Sequence, residues 1–158
     1  MPSSSTDFRF TAPNGVLLQV RASLLCLRGA QLLTCWDTRF PDFYSLPGGA
    51  VLTGEPAQAA AVREWKEETG QTIGAPRLCG LVENFFVLGG RECHELSFCF
   101  RVELAGPLPS HALDNAAVEF RWVPLAELPT ILLYPVCVPD LLNVPAGQIA
   151  HFVSDTRA

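Results

Sequence analysis

Between Gly49 and Gly70 the chain reads G-A-V-L-T-G-E-P-A-Q-A-A-A-V-R-E-W-K-E-E-T-G, which brings Glu64, Glu67 and Glu68 together behind a Gly-Gly turn. Carboxylates at i, i+3 and i+4 lie on neighbouring faces of a helix and repel one another. Near a helix C-terminus they also oppose the dipole. Several unfavourable local choices at one place mark a functional site. A hard, oxygen-seeking divalent cation, Mg²⁺ or Mn²⁺, relieves all of them. Such an ion could neutralise a phosphorylated ligand and make a bound water more acidic. Arg63, the cation within the cluster, can pair with Glu67 or reach back to Glu55, and so orient carboxylates.

The element that must position these groups is a helix predicted over Glu55–Thr69. Pro56 suits the first turn, alanines fill the middle and Gly70 supplies the stop. At about 100° per residue, Ala57, Ala60 and Ala61 share one face that Glu64 and Glu68 continue, with Glu67 about 60° from Glu64 and away from Trp65. The alanines can pack on a sheet, so the acidic end is expected at a sheet edge.

The strands of that sheet are predicted over Val16–Leu27, Leu32–Trp36, Phe43–Leu46, Leu78–Phe86, Glu95–Glu103, Glu119–Val123 and Gln148–Val153. Leu78–Phe86 and Glu95–Glu103 should pair around Gly89-Gly90. A turn of helix is expected at Leu125–Leu128, and a second helix near Val138–Asn143. Residues 1–15, rich in Ser, Pro and Gly, are expected to be a flexible N-terminal segment, with a single domain over 16–158. Strands around a central helix with another helix late in the chain point to a mixed-sheet sandwich of the α+β class.

With 158 residues, 49 % hydrophobic and 17 % charged, the chain can bury a core. A net charge of −5 argues against a protein that coats nucleic acid. No apolar run approaches the ~20 residues that span a bilayer. Six cysteines without a CxxC pair, mostly in apolar runs, read as buried thiols of a cytoplasmic protein. Alternation separates Cys93 and Glu95 from His94, which argues against zinc there.

Gly49, Glu55, Arg63, Glu64, Glu67, Glu68 and Gly70 fill every fixed position of G-x5-E-x7-R-E-U-x-E-E-x-G-U, where U is apolar. The stretch resembles the Nudix box. Two apolar slots depart from the pattern, taken by Trp65 and Gln71; Trp65 is expected to pack in the core regardless, with Ile73 substituting for Gln71. Leu46 to Gly49 and Val118 to Leu125 resemble the family's lead-in and its later strand. The resemblance implies an α/β/α sandwich with a central mixed sheet, and hydrolysis of a nucleoside diphosphate linked to a group X. It implies metal held by Glu64, Glu67 and Glu68, and by the backbone carbonyl of Gly48. The general base is Glu64 or Glu119, the latter alternatively a metal ligand, with Glu92 and Glu95 ranking behind. For substrate, a basic loop residue of this kind contacts phosphate in similar proteins, which points to Arg39. Tyr44 and one of Phe85 and Phe86, which alternate in facing, could stack on a base, with His94 a polar contact. The partner is a small nucleotide, and homodimers are common in similar proteins. Rival readings are an RNA 5′-pyrophosphohydrolase, a non-catalytic nucleotide sensor and an isoprenoid diphosphate isomerase. The absence of a basic stripe, the intact carboxylates and the lack of an added His/Cys pattern count against each in turn.

Overall fold

The computed structural model describes residues 5–157. Nine strands and two helices follow the order β1 (Arg9–Thr11), β2 (Leu17–Arg28), β3 (Gln31–Asp37), β4 (Tyr44–Ser45), β5 (Gly48–Ala50), α1 (Ala57–Thr69), β6 (Arg77–Leu88), β7 (Arg91–Glu103), β8 (Val118–Pro124), α2 (Val138–Leu142) and β9 (Ala150–Asp155), with a 3-10 turn over Leu125–Thr130. The main path of the sheet runs β4-β3-β2-β7-β6-β9, with β1 and β5 on β2 and β8 on β3. β2 lies parallel to β7 over Leu17↔Cys93 to Leu27↔Glu103, and β6 parallel to β9. The other pairings are antiparallel, as in the Gly89-Gly90 hairpin that joins β6 to β7. The sheet is therefore mixed, with helices on both faces, as expected for an α+β sandwich.

The feature that creates the site is the parting of β2 from β3. The two pair only beside their turn, at Leu27↔Leu32 and Arg28↔Gln31. From there β3 joins β8 and β4, while β2 takes β5 at Arg21↔Ala50 to Ser23↔Gly48. A gap opens between the diverging strands, and the C-terminal end of α1 faces it.

Two apolar clusters hold the layers. One packs α1 (Ala60, Ala61, Trp65) on Ala22, Leu24, Cys26, Leu33 and Phe100. The other packs α2 (Val138, Leu141) on Leu25, Leu27, Cys79, Val82 and Cys99. Trp65 is fully buried, so the larger ring is accommodated in the core. Gln71 instead donates its side-chain amide to the Pro107 carbonyl at 2.8 Å, and Ile73 packs on the α1 cluster.

The N-terminal segment differs from the loop expected over residues 1–15. Arg9–Thr11 pairs with Leu17–Gln19, and Phe8 N donates to the Val51 carbonyl at 2.7 Å. The Pro13-Asn14-Gly15 stretch makes this possible: it closes a tight turn, with Ala12 N bonded to the Val16 carbonyl at 2.9 Å and Gly15 at φ 89°. Residues 1–4 of that segment lie outside the described residues.

Candidate active site

Helix α1 starts after Pro56 and ends at Gly70, which adopts φ 72° and returns its N–H to the Lys66 carbonyl. Its buried alanines seat it on the sheet, so the following turns deliver Glu64 and Glu68 to the gap. There a cavity of about 290 Å³ is lined by Arg21, Cys35, Asp37, Ser45, Leu46, Gly48, Glu64, Glu68, Ala112, Asp114, Asn115 and Val118.

Arg63 organises the carboxylates. Its Nε and Nη2 bond Glu55 at 2.8 and 3.0 Å, Nη1 bonds Glu64 at 2.8 Å and Glu67 at 3.2 Å, and Nη2 also reaches the Ala50 carbonyl at 3.0 Å. Glu55 is in turn fixed by the Leu52 N–H at 2.9 Å. Both routes suggested by the spacing of Arg63 are thus used at once. The hydrogen bonds from Arg63 hold Glu55 below the usual carboxylate range, while three carboxylates raise the guanidinium's own value.

Glu64 and Glu68 are perturbed in the opposite sense. Burial raises Glu64, against the opposing pull of Arg63. Burial pushes Glu68 up to about 8, with Glu64 and Asp114 adding repulsion and Arg21 working against them. Glu68 Oε1 accepts a long bond of 3.4 Å from Gly48 N, and its Oε2 is buried with no hydrogen-bond partner.

Asp114 is the carboxylate that the sequence did not disclose. One oxygen from each of Glu64, Glu67 and Asp114 lies within 4.8 Å of the other two. The loop that carries it is tied to the helix end by Leu113 N, which donates to the Glu68 carbonyl at 2.8 Å. Arg21, on β2, also lines the cavity; it donates to the Leu46 carbonyl at 2.9 Å and to Ser23 Oγ at 3.2 Å.

The other candidates lie apart from the carboxylates. Glu119 points with Trp36, across the ladder from the cavity-lining Cys35 and Asp37, and is paired to Arg121 at 3.0 Å. That bond lowers its pKa, and the residue does not line the cavity. The Tyr44 hydroxyl oxygen accepts from Arg121 Nη1 at 3.2 Å, and the ring packs on the α2-side core. Phe85 and His94 stack on each other with centroids 4.3 Å apart, and Arg157 lies over Phe85 at 4.6 Å; neither ring lines the cavity. Arg39 is exposed and bound to Asp37 at 2.6 Å, and Asp37 reaches the cavity wall. The Glu119→Gln variant should therefore keep turnover within about twofold of wild type, as for an exposed ion pair, in a steady-state assay on any substrate the protein accepts.

A carboxylate helix behind a Gly-Gly turn, seated on a mixed sheet between two helical layers, defines an α+β sandwich with an acidic cleft at the sheet edge. The chain belongs to the NUDIX family: the NUDIX domain model matches residues 17–138. It is 30 % identical over 141 residues to a Mycobacterium tuberculosis protein named 8-oxo-dGTP diphosphatase 2, covering 85 % of this chain and 96 % of that one. It is 36 % identical over 106 residues to the mutator protein MutT4 of the same species, covering 66 % of this chain; it spans only 42 % of that relative's length. The fold is shared with a MutT NUDIX hydrolase from Burkholderia pseudomallei, at TM-score 0.62 and 23 % identity, covering 81 % of this chain and 98 % of that one.

Proposed function

We propose that this chain is a divalent-metal-dependent pyrophosphohydrolase that cleaves nucleoside diphosphates linked to a group X, releasing a nucleoside monophosphate and P–X. One observation carries the reading: Glu64, Glu67, Glu68 and Asp114 converge beside a cavity that also holds a cation, Arg21. The donor set fits a hard cation. All its atoms are carboxylate oxygens, and Glu68 Oε2 is buried without the partner that a buried polar atom requires.

Glu64, Glu67, Glu68 and Asp114, with the Gly48 backbone, would hold Mg²⁺ or Mn²⁺. The bound ion supplies charge neutralisation at the diphosphate and acidification of water. The remaining work falls to this chain's side chains. Arg21, fixed by two hydrogen bonds, presents its guanidinium to the diphosphate oxygens, where a planar fork is well matched. Arg63 holds Glu64 Oε1, which leaves Oε2 facing either the ion or, where the other carboxylates suffice for the ion, the proton of the attacking water. Of the four bases considered, Glu64 is the one at the cavity. The six free, buried cysteines support a cytoplasmic setting.

The test is a panel of nucleoside triphosphates, nucleotide sugars, ADP-ribose, dinucleoside polyphosphates and 5′-triphosphorylated RNA, assayed with Mg²⁺ and with Mn²⁺. Metal-dependent release of a nucleoside monophosphate supports the proposal. Silence across the panel favours a nucleotide sensor, and cleavage confined to RNA favours the RNA reading. Asp114→Asn should lower turnover about 10- to 100-fold and weaken Mn²⁺ binding, the scale expected on losing a supporting group at a metal centre. Its melting temperature should stay near that of wild type, because Asp114 is exposed.

A further inference from the structure

β9 ends the sheet on one side, and its outer edge is open. Among the described residues it pairs with β6 alone, over Gly80↔Ala150 to Phe85↔Asp155. Thr156 N donates to the Phe85 carbonyl at 2.9 Å. Backbone groups alternate sides along a strand, so residues 152, 154 and 156 turn theirs to β6. His151, Val153 and Asp155 turn their N–H and C=O groups outward. No backbone group among the described residues answers them. Such a row is a template for another strand, and folds usually guard it with lysine, proline or a covering loop. β9 reads A-H-F-V-S-D, without lysine or proline, and Val153 at its centre is 61 % exposed. The strand also lies past residue 138, where the NUDIX match ends.

The side chains of β9 sort by face. Phe152 packs on the α2-side core, and Ser154 is buried. His151, Val153 and Asp155 are exposed on the opposite face. His151 Nε2 lies 2.8 Å from Glu83, which leaves Nδ1 for a second partner. Asp155 holds Arg157 at 2.6 Å, and a carboxylate so engaged keeps further lone pairs.

We propose that two copies of this chain associate through β9, edge to edge and antiparallel, about a twofold axis at Val153. The occupant is a second copy because the strand is complementary to itself. With Val153 opposite Val153, His151 of each copy stands opposite Asp155 of the other. All three outward-facing residues then meet as hydrogen-bonded pairs, each exchanging both its bonds, roughly six in all. The apolar pair sits at the centre and an imidazole–carboxylate pair at either end, the cross-strand contacts that stabilise a ladder. Moving the register by two residues loses this match. One direction sets Val153 against Asp155, and the other sets Asp155 against Ile149. A twofold contact of this kind closes on itself and stops at the dimer. The cavity beside α1 lies beyond β6 and β7 along the sheet, so each copy keeps its own site open.

Sedimentation velocity from about 1 to about 300 µM tests the proposal, on the scale of a small, transient interface. A monomer–dimer equilibrium is expected, with amide exchange at His151, Val153 and Asp155 slowed at the high end. Val153→Pro removes an N–H that points away from β6, where an edge strand tolerates proline. It should weaken association at least about tenfold, with turnover per chain and the melting temperature of the dilute protein near wild type. Should that variant fail to fold, charge reversal reads the same register. His151→Asp sets like charges opposite each other at both ends and should weaken the dimer about tenfold. Adding Asp155→Lys to His151→Asp should return it to within about threefold of wild type. A monomer at every concentration, a dimer indifferent to Val153→Pro, or no recovery in the double variant overturns the proposal.

Discussion

Glu68→Gln is expected to lower turnover about 10²- to 10³-fold, the range seen when a preorganised electrostatic group is lost, while leaving the metal-free protein folded. The two effects separate because of where Glu68 sits. Its carboxyl is pushed up to about 8 by burial, then by Glu64 and Asp114, so the metal-free fold holds it protonated through neutral pH. Gln reproduces that neutral form but cannot become the anion that a cation requires.

The same shift fixes the sign of a pH effect. The unfolded chain releases the Glu68 proton near 4.5, whereas the fold retains it to about 8. Between those values the native state binds more protons than the unfolded state, so metal-free stability falls as pH rises through that window. Glu64, raised by burial, acts in the same direction. Thermal melts in EDTA should show a wild-type melting temperature that falls from pH 5 to pH 8. The slope should be shallower in Glu68→Gln, and Mg²⁺ should restore the wild type at pH 8. A slope unchanged by the substitution would show that Glu68 does not carry the effect.

Gly48→Ala should be the most damaging single methyl group in this chain. Gly48 adopts φ 135°, and a Cβ there would meet the Ala22 carbonyl oxygen at 2.0 Å. The atoms it would meet, on Ala22 and Ser23, all belong to backbone, because Ser23 and Gly48 are partners in the β2–β5 ladder. Strain and displacement of β5 together should cost about 3 kcal/mol, or a fall of roughly 6–12 °C in melting temperature for a domain of this size. Gly49→Ala is the informative contrast. Its Cβ would lie 2.3 Å from the Glu64 carboxyl, a side chain that can swing away. That variant should remain closer to wild type in melting temperature and yet lose turnover. Equal stability losses in the two variants would show that the Gly-Gly turn does not position Glu64 in the manner described.

The helix and its three glutamates were legible because the alanine face and the acidic face share one 3.6-residue period, and Gly70 closes it. The network of Arg63 was legible for the same reason. Asp114 was not, because it sits in a loop of no periodicity; a single backbone bond from Leu113 to Glu68 brings it to the helix end. Arg21 was passed over although Gln19, Arg21 and Ser23 alternate within an apolar strand. That signal becomes meaningful once β2 is seen to part from β3 and make room for a side chain. Glu119 was misplaced by the same ambiguity in reverse. A strand exposes one face in two, and only the pairing with Trp36 reveals which one Glu119 occupies. Phe85 and His94 find each other across the β6–β7 ladder instead of lining the cavity.

Glu64, Glu67, Glu68 and Asp114 are proposed to hold one divalent cation together. Electron paramagnetic resonance titration of Mn²⁺ tests it most directly, on wild type and on Glu64→Gln, Glu68→Gln, Asp114→Asn and Glu119→Gln at pH 8. Wild type is expected to bind Mn²⁺ saturably, the first three variants at least about tenfold more weakly, and Glu119→Gln as tightly as wild type. Indistinguishable Mn²⁺ affinity in wild type, Glu64→Gln and Glu68→Gln would contradict that assignment.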